Sequence, residues 1–335
     1  MGPAARLRLA DRAPANRGIY QRKAVEALPQ NSFGRLIDFS GNGLIDGPLL
    51  DISRGFRVSR AAARKSALFP ALLLGAAALT APPAGAAQLE YPVDVAVAAS
   101  GDIFVADLEA AALLRWTGSG YAVVVAGDGL PRTPLFGIRH IAPEPGGGIV
   151  ASDPATMALY RISEAGAVER VPDDERFVTP WGVALGANGG VLVVDRVTQR
   201  LRRVHRGGVE DLAEIAAPRA ILPGPDGELH VLTDRNILRM DGDSGHPLIQ
   251  SPPFEFPHDF VRAPDGGFFV TDGYARCIWR VSAEGRVSVL ARGEPLVSPQ
   301  GLAVAPNGDL LVADAHARSV FRVSLSGEVR NLENP

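Results

Sequence analysis

One phrase returns six times along this chain. Aligned on the aspartate that closes an apolar run, its copies are anchored at Asp107, Asp153, Asp195, Asp234, Asp272 and Asp314, spaced by 46, 42, 39, 38 and 42 residues. A period near 40 means that each copy is one supersecondary unit, stacked on its neighbours in a solenoid or a propeller. Every copy has the same plan. A short apolar stretch (GLAVA, residues 301–305) leads into a turn: Ser100-Gly101, Gly146-Gly147, Asn188-Gly189, Asp226-Gly227, Asp265-Gly266 and Asn307-Gly308. Such pairs tolerate positive φ and close tight hairpins. A second apolar run follows (IFVAD, IVASD, LVVD, LHVLTD, FFVTD, LLVAD), then a third (LLRW, LYRI, LRRV, ILRM, IWRV, VFRV) and a weaker, more polar fourth such as EVRNL at 328–332. The polarity gradient fits strands covered on both faces inside and wetted on one face outside.

In five copies an arginine follows the aspartate by eight residues: Arg115, Arg161, Arg203, Arg280 and Arg322. Copy four departs, with Arg239 only five residues after Asp234 and one extra residue in its second strand. A β-bulge is expected there. Residues repeated in every copy belong to the scaffold. The aspartates are expected to cap the loop that follows them by accepting backbone N–H groups. The arginines are expected to lay their stems over a neighbouring unit and hold their heads in water or on a carboxylate.

The strings P-x-G-[LV]-A-V-x-P-[ND]-G and V-A-D, with a basic residue eight further on, resemble NHL repeats over residues 91–335. They are also similar to the wider superfamily of SMP-30/gluconolactonase proteins and virginiamycin B lyase. The resemblance implies an all-β, six-bladed β-propeller with four-stranded blades, at about 91–130, 136–175, 179–215, 217–250, 256–293 and 298–335. Radial closure of this kind protects the sheet edges.

A site is expected where the copies differ. The dipeptide that follows the repeat's proline position, held by Ile138 in copy two, is read as facing the channel rim: Val93-Asp94, Arg139-His140, Trp181-Gly182, Arg219-Ala220, His258-Asp259 or Gln300-Gly301. Asp94, Arg139, His140, Trp181, Arg219, His258, Asp259 and Gln300 are therefore the candidate ligand-binding residues. Arg139 and Arg219 suit a carboxylate or phosphate. Trp181 offers a flat face to a ring. His258 with Asp259, or His140 with Asp94, suits acid–base work near neutral pH.

The gluconolactonase resemblance implies a divalent cation held in the channel by Glu, Asn and Asp. Glu90-Tyr91-Pro92 matches the first Glu-x-Pro, but Trp181 stands where the asparagine would, and Arg219 where a carboxylate is wanted. The Trp-Phe-Thr-Glu phrase of the lyases is missing. Only His140 and His258 fall on the rim, with His316 in the last loop, short of a convergent zinc triad. No cofactor is expected. Cys277, the single cysteine, sits in an apolar strand and reads as a small buried hydrophobe.

Charge divides the chain. Residues 1–87 carry 12 Lys+Arg against 5 Asp+Glu; residues 88–335 carry 22 against 32 and no lysine. The acidic second part is a poor partner for nucleic acid. Within the basic part, Arg60, Arg64 and Lys65 precede an uncharged apolar run at 66–80, then Pro82-Pro83 and small residues to Ala87. This is the layout of a secretory signal peptide over 58–87, cleaved near Ala86 or Ala87. The run is shorter than the roughly 20 residues that span a bilayer. With no methionine between Met1 and Met157, translation is expected to start near Val58. Residues 1–57 are then a mis-annotated or disordered extension. The chain thus reads as a periplasmic or secreted binding module for a protein or a small anionic ligand. The alternatives are a lactonase-type hydrolase or lyase and a scaffold in an envelope complex.

Overall fold

The computed structural model describes residues 87–171, 176–186, 189–206, 208–224 and 226–333. The expected leader and extension, residues 1–57 and most of 58–87, lie outside the described residues, as does Asn188. The described chain is all-β: six antiparallel sheets of four strands, each strand paired with the next in sequence. Each sheet is one blade. The first runs through Pro92–Val97, Ile103–Asp107, Ala112–Trp116 and Tyr121–Ala126. The innermost strands of the other five are His140–Pro143, Pro180–Leu185, Pro218–Pro223, Pro257–Arg262 and Pro299–Val304. Among the described residues no helix is long and apolar enough to cross a membrane.

Packing explains the polarity gradient. Second strands such as IFVAD, FFVTD and LLVAD are buried at every residue, whereas Ser244–Pro247, an outermost strand, is exposed throughout. A blade face cannot be dry alone, and six apolar clusters fill the six interfaces between blades. One of them packs Val95 and Val105 of blade one against Leu311, Ala313 and Val320 of blade six, closing the ring. The glycines of all six hairpin turns have φ between +71° and +92°, conformations that glycine adopts without steric cost.

The repeated aspartates are cuffs between consecutive innermost and second strands. Asp107 accepts the N–H groups of Glu90, Tyr91 and Ala110. Asp195 accepts four, from Val178, Thr179, Val197 and Thr198. The loop they cap ends on a left-handed residue four positions later: Ala111, Met157, Gln199, Arg276 and Arg318, at φ of 48° to 54°. Blade four corrects two expectations. Its second strand is Leu229–Thr233 and pairs with the third without any bulge. Thr233, not Asp234, stands opposite the proline of the innermost strand, and its hydroxyl accepts the N–H groups of Arg235 and Asn236. The extra residue is absorbed by a shorter turn, so Asp234 lies outside the strand register. The arginine heads reach carboxylates of their own blades or solvent. Arg161 and Arg203 reach Glu144 and Glu210 of their own blades, at 2.9 and 3.2 Å. Arg280 pairs with Asp265 and Arg322 lies 3.7 Å from Asp309, again within one blade. Arg115 and Arg239 are exposed.

Candidate ligand-binding site

The innermost strands share an irregularity that creates the site. In five blades the ladder slips at the start of the strand, between the proline and the residues after it. In blade two the strand begins directly at His140, with Arg139 N–H bonded to Ser152 O. A slipped register leaves side chains free to turn off the sheet faces and into the channel. The preceding blade pins the slip. The hydroxyls of Ser152 and Thr271 donate to the carbonyls of Trp181 and Gln300. Gly182 and Gly301 fit because the following blade crosses close by. A Cβ on Gly301 would lie 2.3 Å from Asp94 Cα, and one on Gly182 would lie 2.6 Å from Arg219 O.

The eight candidate residues converge, but not at a wet rim. Asp94 and Gln300 are 1% exposed, Arg219 2%, Arg139 and Trp181 5%, His258 and Asp259 6%; only His140 is half-buried. They stack in two layers. The layer nearer the loops holds Arg139, Trp181, Arg219, His258 and Gln300. Arg139 reaches across the channel from blade two to blade five, where its Nη2 donates to Nδ1 of His258 at 3.1 Å. Its guanidinium and that of Arg196 lie 4.4 and 4.6 Å from the Trp181 ring centre. Trp181 is therefore a support for two cations, not the open platform expected. Arg219 lies 4.0 Å over Phe256, which stacks on the half-exposed Tyr274.

This layer is electropositive and incompletely bonded. Burial pushes Arg139 and Arg219 down to about 10, with repulsion from Arg196 on both and from Arg219 on Arg139. Burial and the same three arginines hold His258 well below the usual imidazole range, so it stays neutral. Arg139 Nη1, Arg219 Nε and Nη1, Gln300 Oε1 and Asp234 Oδ1 are buried atoms with no hydrogen-bond partner. Asp234 comes to 3.7 Å from Arg219 Nε, an ion pair too long to be a hydrogen bond. Buried polar atoms are normally satisfied, so three open guanidinium positions in one channel mark a place made for an acceptor.

The second layer is Asp94, His140 and Asp259. His140 Nδ1 lies 3.6 Å from Asp94 and Nε2 3.4 Å from Asp259, so one imidazole spans both carboxylates. The pairing expected within the His258-Asp259 dipeptide does not form; each residue pairs with blade two instead. Burial disfavours the imidazolium, but the two carboxylates outweigh it and lift His140 to about 9. Burial raises Asp94 to about 7 against the pull of His140. Both carboxylates also clamp the following blade: Asp94 accepts Ile141 N–H at 2.7 Å, Asp259 accepts Leu302 N–H at 3.0 Å. Beyond this layer the channel opens on the far face as a cavity of about 340 Å³ walled by Val95, Ile141, Val183, Phe260 and Leu302.

Asp94, His140 and Asp259 bring three potential donor atoms within 4.8 Å of one another. They do not fit a resident divalent cation. Each carboxylate oxygen already accepts a backbone N–H, Val183 N–H lies 3.5 Å from His140 Nδ1, and Arg139 acts on His140 as a repelling neighbour. At the positions implied by the gluconolactonase resemblance, Glu90 is exposed, Trp181 carries no donor for a metal and Arg219 is cationic. Cys277 is fully buried, with its thiol pushed up to about 11 by burial.

Solved structures share this architecture. A gluconolactonase from Xanthomonas campestris superposes at a TM-score of 0.60, with 12% identity over 73% of this chain and 88% of the other. The fold is that of the gluconolactonase and virginiamycin B lyase propellers. Virginiamycin B lyase from Staphylococcus aureus matches at 0.56, with 16% identity over 74% and 87% of the two chains. An auxiliary nutrient binding protein from Bacteroides thetaiotaomicron matches at 0.58, with 13% identity over 73% and 70%. No protein-family model matches the chain, and no curated protein matches it.

Three residues of the site escaped the sequence reading. Arg196 follows the capping Asp195, where the other capped blades carry Leu108, Pro154, Gly273 and Ala315; that contrast was a usable signal. Asp234 was visible as the break in spacing. Phe256, which precedes the proline of blade five, carried no signal of its own.

Proposed function

We propose that the chain is an exported propeller that binds a small anionic ligand in the loop-side mouth of its channel. Arg139 and Arg219 are the anchors. The observation that carries this reading is the set of unpartnered donors on two guanidiniums that are 5% and 2% exposed. An uncompensated buried cation is costly, and an entering carboxylate or phosphate supplies charge-assisted hydrogen bonds in its place. Their depth favours a small ligand over a protein surface. Solute-binding and catalytic propellers both occur among the structural neighbours, so the fold itself is neutral. Export rests on the basic, apolar and small-residue layout of residues 60–87. Titration of the full chain with acetate, succinate and inorganic phosphate, followed by calorimetry, tests the site. Binding is expected for at least one anion and is expected to vanish in the double variant R139A/R219A. Undiminished affinity in that variant would place the site elsewhere.

A second reading, a lactonase-type hydrolase or a lyase, is favoured by one observation: the His140 imidazole held between two carboxylates at the foot of the channel. Turnover of lactones or esters that disappears in H140A would support it.

A further inference from the structure

Blade four is the one blade that does not use its aspartate as a cuff. In the other five the aspartate closes the second strand and is fully buried there. In blade four the shortened turn gives the capping task to Thr233, and Asp234 moves one residue on. Its backbone is held, Asp234 N–H to Ala217 O at 3.2 Å. Its Oδ1, however, is buried against Arg219 and accepts no hydrogen bond. The irregularity thus brings an acceptor into a mouth otherwise built of donors.

Two counts then describe the ligand. Arg139, Arg196 and Arg219 act on one another electrostatically, and Asp234 is the one carboxylate acting on both Arg196 and Arg219 from this mouth. The three cations come from three consecutive blades, and the other carboxylates acting on them are engaged elsewhere, Asp272 by the backbone N–H groups of its loop and Asp94 by Ile141 N–H. Dispersed positive charge over three blades suits two separate anionic groups better than one compact ion. The second count concerns acceptors. Asp234 Oδ1 and Gln300 Oε1, both buried and unpartnered, need a donor that a plain carboxylate does not have.

We infer that the ligand is a small dicarboxylate bearing a hydroxyl group, with its carboxylates on the arginines and its hydroxyl donating to Asp234. This rests on the anion-binding reading above and adds that Asp234 is a specificity-determining residue. A site built to accept a hydroxyl proton discriminates against the analogue that lacks it, because the buried acceptor is then left bare.

The experiment is calorimetric titration of the full-length protein and its D234A variant with malate, succinate, acetate and inorganic phosphate. Because Thr233 caps this loop, D234A is expected to keep the wild-type fold, checked by circular dichroism and thermal melting. Malate is expected to bind wild type roughly tenfold or more tighter than succinate, and succinate tighter than acetate. In D234A the gap between malate and succinate is expected to close to within about twofold, with succinate binding retained. Equal affinities of malate and succinate for wild type would overturn the role of Asp234 while leaving the anion site intact. Phosphate binding more tightly than malate would overturn the dicarboxylate. Failure of every anion to bind would remove the underlying reading, and this inference with it.

Discussion

Replacing Arg219 by methionine should make the protein more stable and unable to bind its ligand. Arg219 is 2% exposed, and two of its nitrogens have no partner. Burial first, then Arg196, takes its guanidinium from 12.5 to about 10. That depression is worth about 3 kcal/mol against the charged form. The contact with Phe256 at 4.0 Å returns about 1–2 kcal/mol. The 3.7 Å approach to Asp234, whose side chain is 41% exposed, adds little in return. Methionine fills nearly the same volume without the charge and keeps an apolar contact with the ring. The net expectation is a gain of about 1–2 kcal/mol, or roughly 2–8 °C in melting temperature for a domain of this size. Differential scanning calorimetry without added anion measures it directly. A fall of several degrees would refute the reasoning, since it would mean that Arg219 is a satisfied part of the scaffold and not a cation held open for a ligand. The same variant should also lose the melting-temperature rise that a bound anion confers by mass action.

Three further expectations test the scaffold and the lower layer. His140, lifted from 6.5 to about 9, contributes stability that is fully present below pH 6.5 and is lost as pH rises through 9. The buried Asp94, raised from 3.8 to about 7, loses stability as pH rises from about 4 to 7, so most of its effect lies below this range. Melting temperature should therefore fall from pH 6 to pH 10 in wild type and fall less in H140Q; parallel curves would count against the imidazolium bridge. D272A removes a carboxylate that accepts the N–H groups of Glu255, Phe256 and Ala275 and the indole N–H of Trp279. It should cost about 3–5 kcal/mol in denaturant unfolding, against about 0.5 kcal/mol or less for D234A. EDTA, and then titration with Ca²⁺, Mg²⁺, Mn²⁺ or Zn²⁺, should leave the melting temperature unchanged. A saturable rise with one ion would show that Asp94, His140 and Asp259 accept a cation after all.

The scaffold was legible because it is periodic. Six returns of Asp107 and its counterparts, the turn glycines and the alternation of apolar runs are local signals, each repeated enough to outweigh a single exception. The positions at the start of each copy pointed at the site: Arg139, Arg219, His140, His258 and Asp259 stood out because a purely structural rim needs only glycine and apolar residues there. What could not be read was partnership. His258 is next to Asp259 in sequence, yet it bonds Arg139, while Asp259 meets His140 from the opposite blade. Trp181, chosen for its open face, is covered by Arg139 and Arg196. Asp234, counted with the cuffs, is the one that left them.

Sequence alone determined the number of blades, the strands within each and the level in the blade at which variation gathers, because hairpin chemistry and apolar alternation act between residues close in the chain. Tertiary structure alone decided which charges face each other and which donors stay open. Those outcomes depend on ring closure, which brings Arg139 against His258 and His140 against Asp259 across 119 residues. They also depend on burial, which strengthens every unanswered charge by removing the water that would have answered it.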